Sequence, residues 1–134
     1  MPTAPNAVKQ RSGGYCFAAC LQSLDNKWGG SYTQYDSGIG SNGYVNTNNS
    51  IVGWTAGTST YADVKAKIDG GSYCLVYMVG TYSHWVVAYA ASVASSAGIS
   101  VMDPYNGNFI TLQAAMNIEG ASSITENRVA YKKV

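Results

Sequence analysis

The sequence contains a single histidine, and three residues far apart in the chain supply what thiol-based acyl transfer requires. His84 lies in the run SHWVVAY at residues 83–89, a pattern that predicts a strand. Cys16 lies at the start of a helix-like run, and Asp103 ends the strand that follows the one with His84. Cysteine, histidine and carboxylate in these positions are the parts of a site in which an imidazole activates a thiol.

Cys16 is the candidate nucleophile among three cysteines. A cysteine nucleophile must be ionised near neutral pH, and a helix N-terminus and a nearby imidazolium both favour the thiolate. Cys20 lies one turn further along the apolar stripe of the same helix, and Cys74 lies in an apolar strand, so both are predicted to be core thiols. Because the number of cysteines is odd, at least one thiol is unpaired within the chain.

None of His84, Asp103 and Gln10 indicates a catalytic site when it is taken alone. His84 could be a satisfied core or surface histidine, and Asp103 could simply begin an Asp-Pro turn with Pro104. Gln10 precedes Cys16 by six positions, so its amide could donate to an oxyanion beside the backbone N–H of Cys16. The order and spacing of the four residues, rather than any one of them, indicate a catalytic site.

The elements that must position these residues can be predicted from periodicity and turn chemistry. Residues 1–9 are predicted to be extended, and residues 25–57 to form a long irregular loop that lines half of a substrate cleft. Helices are predicted over 16–24 and 60–69, a helical turn over 112–117, and strands over 73–79, 84–90, 99–103, 108–112 and 128–134. Helices followed by an antiparallel meander predict an α+β domain with the helices on one side of the sheet.

Composition favours one domain over residues 1–134 and excludes some partners. Charged residues make up 11% of the chain and the net charge is +1, without a cluster of basic residues, so nucleic acid is not an expected partner. The apolar runs are too short to span a membrane. The N-terminus does not show the charged segment followed by an apolar segment that is typical of a signal peptide. The localisation therefore stays open. The uncharged composition, rich in Tyr, Asn, Gly and Ser, is compatible with a secreted or wall-associated protein.

No cofactor or metal is expected. A structural zinc ion could in principle use Cys16, Cys20, Cys74 and His84, but their spacing matches no common zinc site. A zinc-stabilised interaction domain is nevertheless kept as an alternative from a different class of protein.

Four motifs carry a family resemblance over roughly residues 8–112. They are Gln10 followed after five residues by Cys16-Phe17-Ala18-Ala19, the helix and Gly-Gly at 61–71, SHWVV at 83–87, and MDPYNG at 102–107. In this order they resemble the C39-like branch of papain-like cysteine peptidases. That resemblance implies a papain-like α+β fold, with the helix of the nucleophile at the N-terminal end and packed on an antiparallel sheet.

The resemblance also implies the roles of the candidate residues. Cys16 would be the nucleophile, His84 the general base and acid, Asp103 the carboxylate that orients the imidazole, and Gln10 an oxyanion donor. Phe17 departs from the family, which usually has glycine after the cysteine, and could crowd the oxyanion site. Tyr73-Cys74 replaces the usual Pro-Val or Pro-Ile, which affects packing only.

The predicted function is a cysteine-dependent amide hydrolase that forms an acyl-thioester intermediate. The expected substrate is bacterial peptidoglycan, cut by an endopeptidase or amidase of bacterial or phage origin. One alternative is a peptidase that processes leader peptides after Gly-Gly. Another is a catalytically degenerate papain-like binding module, which Phe17 would favour. The oligomeric state is left open.

Overall fold

A computed structural model describes residues 1–35 and 51–133. This part of the chain forms one six-stranded antiparallel sheet and three α-helices, which confirms the α+β class. The helices are α1 (Cys16–Lys27), α2 (Tyr61–Asp69) and α3 (Leu112–Glu119). The strands are β1 (Gly53–Ala56), β2 (Tyr73–Gly80), β3 (His84–Ala91), β4 (Ile99–Asp103), β5 (Asn108–Thr111) and β6 (Ala121–Tyr131).

The sheet has the order β1-β6-β2-β3-β4-β5. Strands β2 to β5 form the predicted meander, in which each strand pairs with the next. After α3 the chain returns to the other side of β2, where β6 pairs with both β2 and β1. The predicted last strand, 128–134, was too short, because β6 begins at Ala121. Its N-terminal half is rich in polar residues and lacks the apolar alternation of a half-buried strand.

Helices cover both faces of the sheet, so the prediction that they pack on one side is wrong. Trp85 and Val87 of β3 belong to the cluster under α1, whereas Val86 and Ala88 belong to the cluster under α2 and α3. Successive side chains of a strand point to opposite faces, so the continuous apolar run in β3 needs cover on both.

The predicted loop over 25–57 is only partly irregular. Its first three residues complete α1, and its last part contains β1, which pairs with β6 at the edge of the sheet. Residues 36–50 of the predicted cleft lining lie outside the described residues. The start of α2 follows the prediction, because the Thr60 hydroxyl accepts a hydrogen bond from the Asp63 N–H at 3.1 Å.

Candidate active site

His84 and Asp103 meet at one end of the sheet, where β3 begins and the antiparallel strand β4 ends. His84 Nε2 lies 2.6 Å from Asp103 Oδ1, although the two residues are 19 positions apart in the chain. The relative exposure is 3% for His84 and 1% for Asp103. A short hydrogen bond with so little access to water fixes the orientation of the imidazole.

The Asp-Pro turn holds the carboxylate of Asp103 in place. The backbone N–H of Tyr105 donates to Asp103 Oδ1 at 2.9 Å, and the Gly107 N–H donates to the Asp103 carbonyl at 2.9 Å. The turn interpretation and the catalytic interpretation of Asp103 are therefore compatible, because one carboxylate oxygen serves both the turn and the imidazole.

Cys16 approaches the same imidazole from the first turn of α1. Its thiol lies close enough to His84 to raise the pKa of the imidazole, and Cys16 is partly exposed. Because Asp103 engages Nε2, the ring nitrogen left for the thiol is Nδ1. Tyr15, the residue before the helix, makes no side-chain capping bond, so it leaves the first N–H groups of α1 without a side-chain cap.

The surroundings of His84 favour its protonated form. Burial alone would lower the pKa of the imidazole, but the hydrogen bonds and charges of Asp103 and Cys16 outweigh it and raise the pKa of His84 from 6.5 to about 10. The geometry thus pairs a thiol with an imidazole that readily holds a proton, which is the arrangement that thiol nucleophiles require.

The other two cysteines lie in the core, where the sequence predicted them. Cys20 and Cys74 each have a relative exposure of 0% and lie in the clusters on opposite faces of the sheet. Burial raises the pKa of the Cys20 thiol, and the charges of Cys16 and Asp103 raise it further. Burial likewise raises the pKa of Cys74 to about 12. Both thiols are therefore protonated and shielded at neutral pH.

Phe17 points into the core rather than across the thiol. Its relative exposure is 4%, and its ring packs edge-on against Trp85 with 4.9 Å between centroids. The Arg128 guanidinium lies over three rings, at 5.2 Å from Phe17, 4.2 Å from Trp54 and 4.8 Å from Trp85. This stack of rings and a cation fixes the first turn of α1 against β3 and β6.

Gln10 lies near the site, but its side chain does not contact the other candidates. Its backbone N–H donates to the carbonyl of Pro104 at 2.7 Å, which ties the lead-in segment to the turn after Asp103. Its Nε2 donates to the Ser12 carbonyl at 3.1 Å, and its Oε1 is buried without a hydrogen-bond partner. One Nε2 hydrogen is therefore left for another acceptor.

Gln34, which the sequence analysis did not single out, holds the segment that carries Gln10. It is 2% exposed, and its amide donates to the Lys9 carbonyl at 2.8 Å and accepts from the Arg11 N–H at 2.7 Å. These two bonds clamp the backbone on either side of Gln10. No signal in the sequence distinguishes Gln34 from the other polar residues around it.

Glu119 is the second residue that the sequence analysis missed. It ends α3, is 8% exposed, and its Oε1 lies 3.7 Å from His84 Nδ1. This oxygen has no hydrogen-bond partner. An acidic residue as the last residue of a helix opposes the helix dipole, and this local conflict was a signal that the sequence did contain.

The described residues offer little for a metal ion, and one cavity among them lies away from Cys16. Within residues 1–35 and 51–133, no three His, Cys, Asp or Glu side chains converge as metal ligands would. A cavity of about 250 Å³ lies near the C-terminal end of α1, lined by Asp25, Trp28, Gly29, Gly30, Ile51, Lys132 and Lys133. Cys16 lies at the opposite end of that helix, so the cavity is separate from the candidate site.

No protein-family model matches this chain, and no curated protein matches it either. Across the two described ranges, no helix has the length and apolar character needed to cross a membrane.

Proposed function

We propose that this protein is a cysteine-dependent amide hydrolase with a papain-like arrangement of helix and sheet. The observation that carries the proposal is the series that runs from the buried Asp103 carboxylate, 2.6 Å from the buried His84 imidazole, to the Cys16 thiol that acts on the same ring. A carboxylate, an imidazole and a partly exposed thiol in series form the activated nucleophile of acyl transfer.

In the proposed reaction, the proton of Cys16 moves from Sγ to His84, and the thiolate attacks the carbonyl carbon of an amide. The oxyanion of the tetrahedral intermediate accepts hydrogen bonds from the backbone N–H of Cys16 and the Gln10 amide. The His84 imidazolium then protonates the leaving nitrogen, the C–N bond breaks, and a thioester remains. Water attacks this thioester as His84 takes its proton, the C–S bond breaks, and the acid and the Cys16 thiol are released.

The packing of Phe17 argues against a purely structural module. The concern was that a large side chain after the nucleophile would fill the oxyanion position. The ring is buried against Trp85 and under Arg128, so the core accommodates the large side chain. A protein that had lost catalysis would also have no need to bury a histidine between a carboxylate and a thiol.

The substrate that we propose is bacterial peptidoglycan. The segment over 25–57 carries only Asp25, Lys27 and Asp36 as charged residues and is rich in Tyr, Trp, Gly and Asn. A segment of this composition suits a polar ligand with little net charge, because aromatic faces and amides bind sugars and small amino acids well. Its first residues, Asp25 to Gly30, lie at the end of α1 away from Cys16 and are not part of the proposed contact. A strongly basic or acidic protein substrate would require opposing charges.

The proposal is tested by incubating the purified protein with peptidoglycan sacculi and following the release of new amino groups. Wild-type protein should release them and a Cys16→Ala variant should not. Trapping the thioester on Cys16 by acid quench and mass spectrometry would identify the nucleophile directly. Equal release by both proteins would contradict the proposed mechanism.

A further inference from the structure

The carboxylate of Glu119 is buried at the end of α3 with few groups to interact with it. It is 8% exposed, its Oε1 lacks a hydrogen-bond partner, and it stands at the C-terminal end of α3, where the helix dipole is negative. The last turn of α3 contains no basic residue. Among the described residues, His84 is the one basic side chain within 4 Å of Glu119, at 3.7 Å.

The backbone fixes this approach. The N–H groups of Thr81 and Tyr82, in the turn that leads into His84, donate to the carbonyls of Gly120 and Glu119 at 3.0 and 3.1 Å. A Cβ on Gly80 would collide with the Gly120 carbonyl, and Gly120 itself has a φ of 64°, which glycine adopts without strain. The end of α3 and the start of β3 are therefore held together by contacts that only small residues permit.

We propose that Glu119 is a positioning residue for the proposed reaction, and that its carboxylate stabilises the protonated form of His84 to which Cys16 transfers its proton. This inference rests on the proposed function for its chemical meaning. Glu119 approaches the imidazole at Nδ1, the nitrogen that Asp103 does not engage, and acts on the reaction only through the charge of His84.

The groups that face His84 come from three elements. Asp103 approaches from the end of β4, Cys16 from the start of α1 and Glu119 from the end of α3. The partner of His84 on β2 is Met78, which carries no charge. An opposite charge at this distance typically shifts a pKa by about one to three units. The contribution of Glu119 should therefore be measurable beside that of Asp103.

The single histidine makes this proposal directly testable by NMR. With isotopically labelled histidine, one imidazole signal reports the titration of His84 whether or not the protein has activity. In Glu119→Gln, which keeps the shape and removes the charge, the titration midpoint should fall by about one to three pH units. Glu126→Gln removes an exposed carboxylate of β6 and is the matched control, for which the midpoint should stay unchanged. An unchanged midpoint in Glu119→Gln would overturn the proposal.

A second measurement uses the wild-type protein and does not require the Glu119→Gln variant to fold. The chain has two glutamates, Glu119 and Glu126, so ¹³C-labelled glutamate gives two side-chain carboxyl signals in the wild-type protein. The signal of Glu119 should inflect at the pH at which His84 titrates, and that of Glu126 should not. Absence of this inflection would also overturn the proposal. Failure of the proposed function is a separate outcome. The Glu119 signal could follow the titration of His84 as expected while the protein releases no amino groups from sacculi and forms no thioester on Cys16.

Discussion

One oxygen of Asp103 accepts hydrogen bonds from both His84 and its own turn. Asp103 Oδ1 lies 2.6 Å from His84 Nε2 and 2.9 Å from the Tyr105 backbone nitrogen. The turn therefore orients the carboxylate before it meets the imidazole, and the carboxylate selects the tautomer with hydrogen on Nε2. This tautomer leaves Nδ1 able to accept a proton from Cys16.

The role of Asp103 as an orienting group predicts unequal effects of two substitutions. Asp103→Asn keeps an oxygen that can accept from His84 and Tyr105, so it should lower kcat/KM less than His84→Ala, which removes the base. Loss of a general base typically costs about 10²–10⁴ in rate. Steady-state kinetics of both variants on the same amide substrate would measure the difference. Equal losses would mean that the charge of Asp103, rather than orientation, is needed.

Cys16 should be the reactive thiol of the three. It is partly exposed and close to His84, whereas Cys20 and Cys74 are buried and the pKa values of their thiols are raised. One equivalent of iodoacetamide at about pH 6–7 should modify Cys16 well before the others. Peptide mapping by mass spectrometry would locate the label. His84→Ala should slow this labelling, and an unchanged profile would show that thiol and imidazole are not coupled.

The raised pKa of His84 links folding stability to pH. A group that binds its proton more tightly in the folded chain stabilises the fold fully below its unfolded pKa of 6.5, and this stabilisation is lost as the pH rises to about 10. In Cys16→Ala, which removes the contribution of Cys16 but leaves that of Asp103, the free energy of unfolding should still fall as the pH rises from about 7.5 to 8.5, by up to about 1.4 kcal/mol per pH unit. Urea denaturation followed by tryptophan fluorescence would measure the slope.

The measurement uses Cys16→Ala because, in the wild-type protein, the folded state can lose a proton from the Cys16 thiol and gain one on the His84 imidazole. These two changes in bound protons cancel in the pH dependence of the free energy of unfolding. Adding His84→Asn to Cys16→Ala should flatten the slope. Above about pH 9, the raised pKa values of Cys20 and Cys74 contribute a slope of the same sign, so the lower window isolates His84. A flat profile in the single variant would contradict a rise of the His84 pKa by Asp103.

Gln10 should act on the transition state rather than on substrate binding. Gln10→Ala should lower kcat by about 10²–10³ with little change in KM, as expected for the loss of one oxyanion donor. Kinetics at saturating and limiting substrate would separate the two constants. A change confined to KM would assign Gln10 to substrate binding instead.

Gln34 provides a contrasting variant on the same segment. Gln34→Ala removes both bonds that clamp the backbone beside Gln10, and leaving these groups unpaired should lower the free energy of unfolding by about 1–3 kcal/mol. Gln10→Ala should leave stability nearly unchanged, because its side chain makes a single bond to Ser12. Thermal unfolding of both variants would test this, and similar losses would indicate that Gln10 is structural.

Local patterns predicted the parts of the fold that local interactions determine. The strands over 73–112 and the capped start of α2 follow apolar alternation and turn chemistry, and those elements appear within about two residues of their predicted bounds. The packing of α2 and α3 on the face opposite α1 was not predicted, because a continuous apolar strand does not reveal which helix covers which face.

The candidate site likewise combines residues that local sequence indicates with residues whose roles depend on distant contacts. Cys16, His84 and Asp103 could be found because their residue types and their places at element ends are specific to the chemistry. Gln34 could not, since its role depends on contacts between segments distant in the chain, and Glu119 was marked only by its acidic side chain at a helix end. Glu119 meets His84 only because β6 returns beside β2 and brings the end of α3 to the start of β3.

The final prediction concerns the substrate. If the low charge of residues 25–57 reflects the ligand, purified protein should change the muropeptide profile of digested sacculi and should not cleave fluorogenic peptides directed by Lys or Arg. Liquid chromatography with mass spectrometry would identify the amide that is cut, and Cys16→Ala protein is the control. A Gly-Gly leader peptide is the comparison substrate, because processing after its second glycine would require a site that accepts a flexible, unbranched chain. Cleavage of that peptide with unchanged muropeptides would replace peptidoglycan by leader peptides as the substrate, while leaving the chemistry at Cys16 and His84 the same.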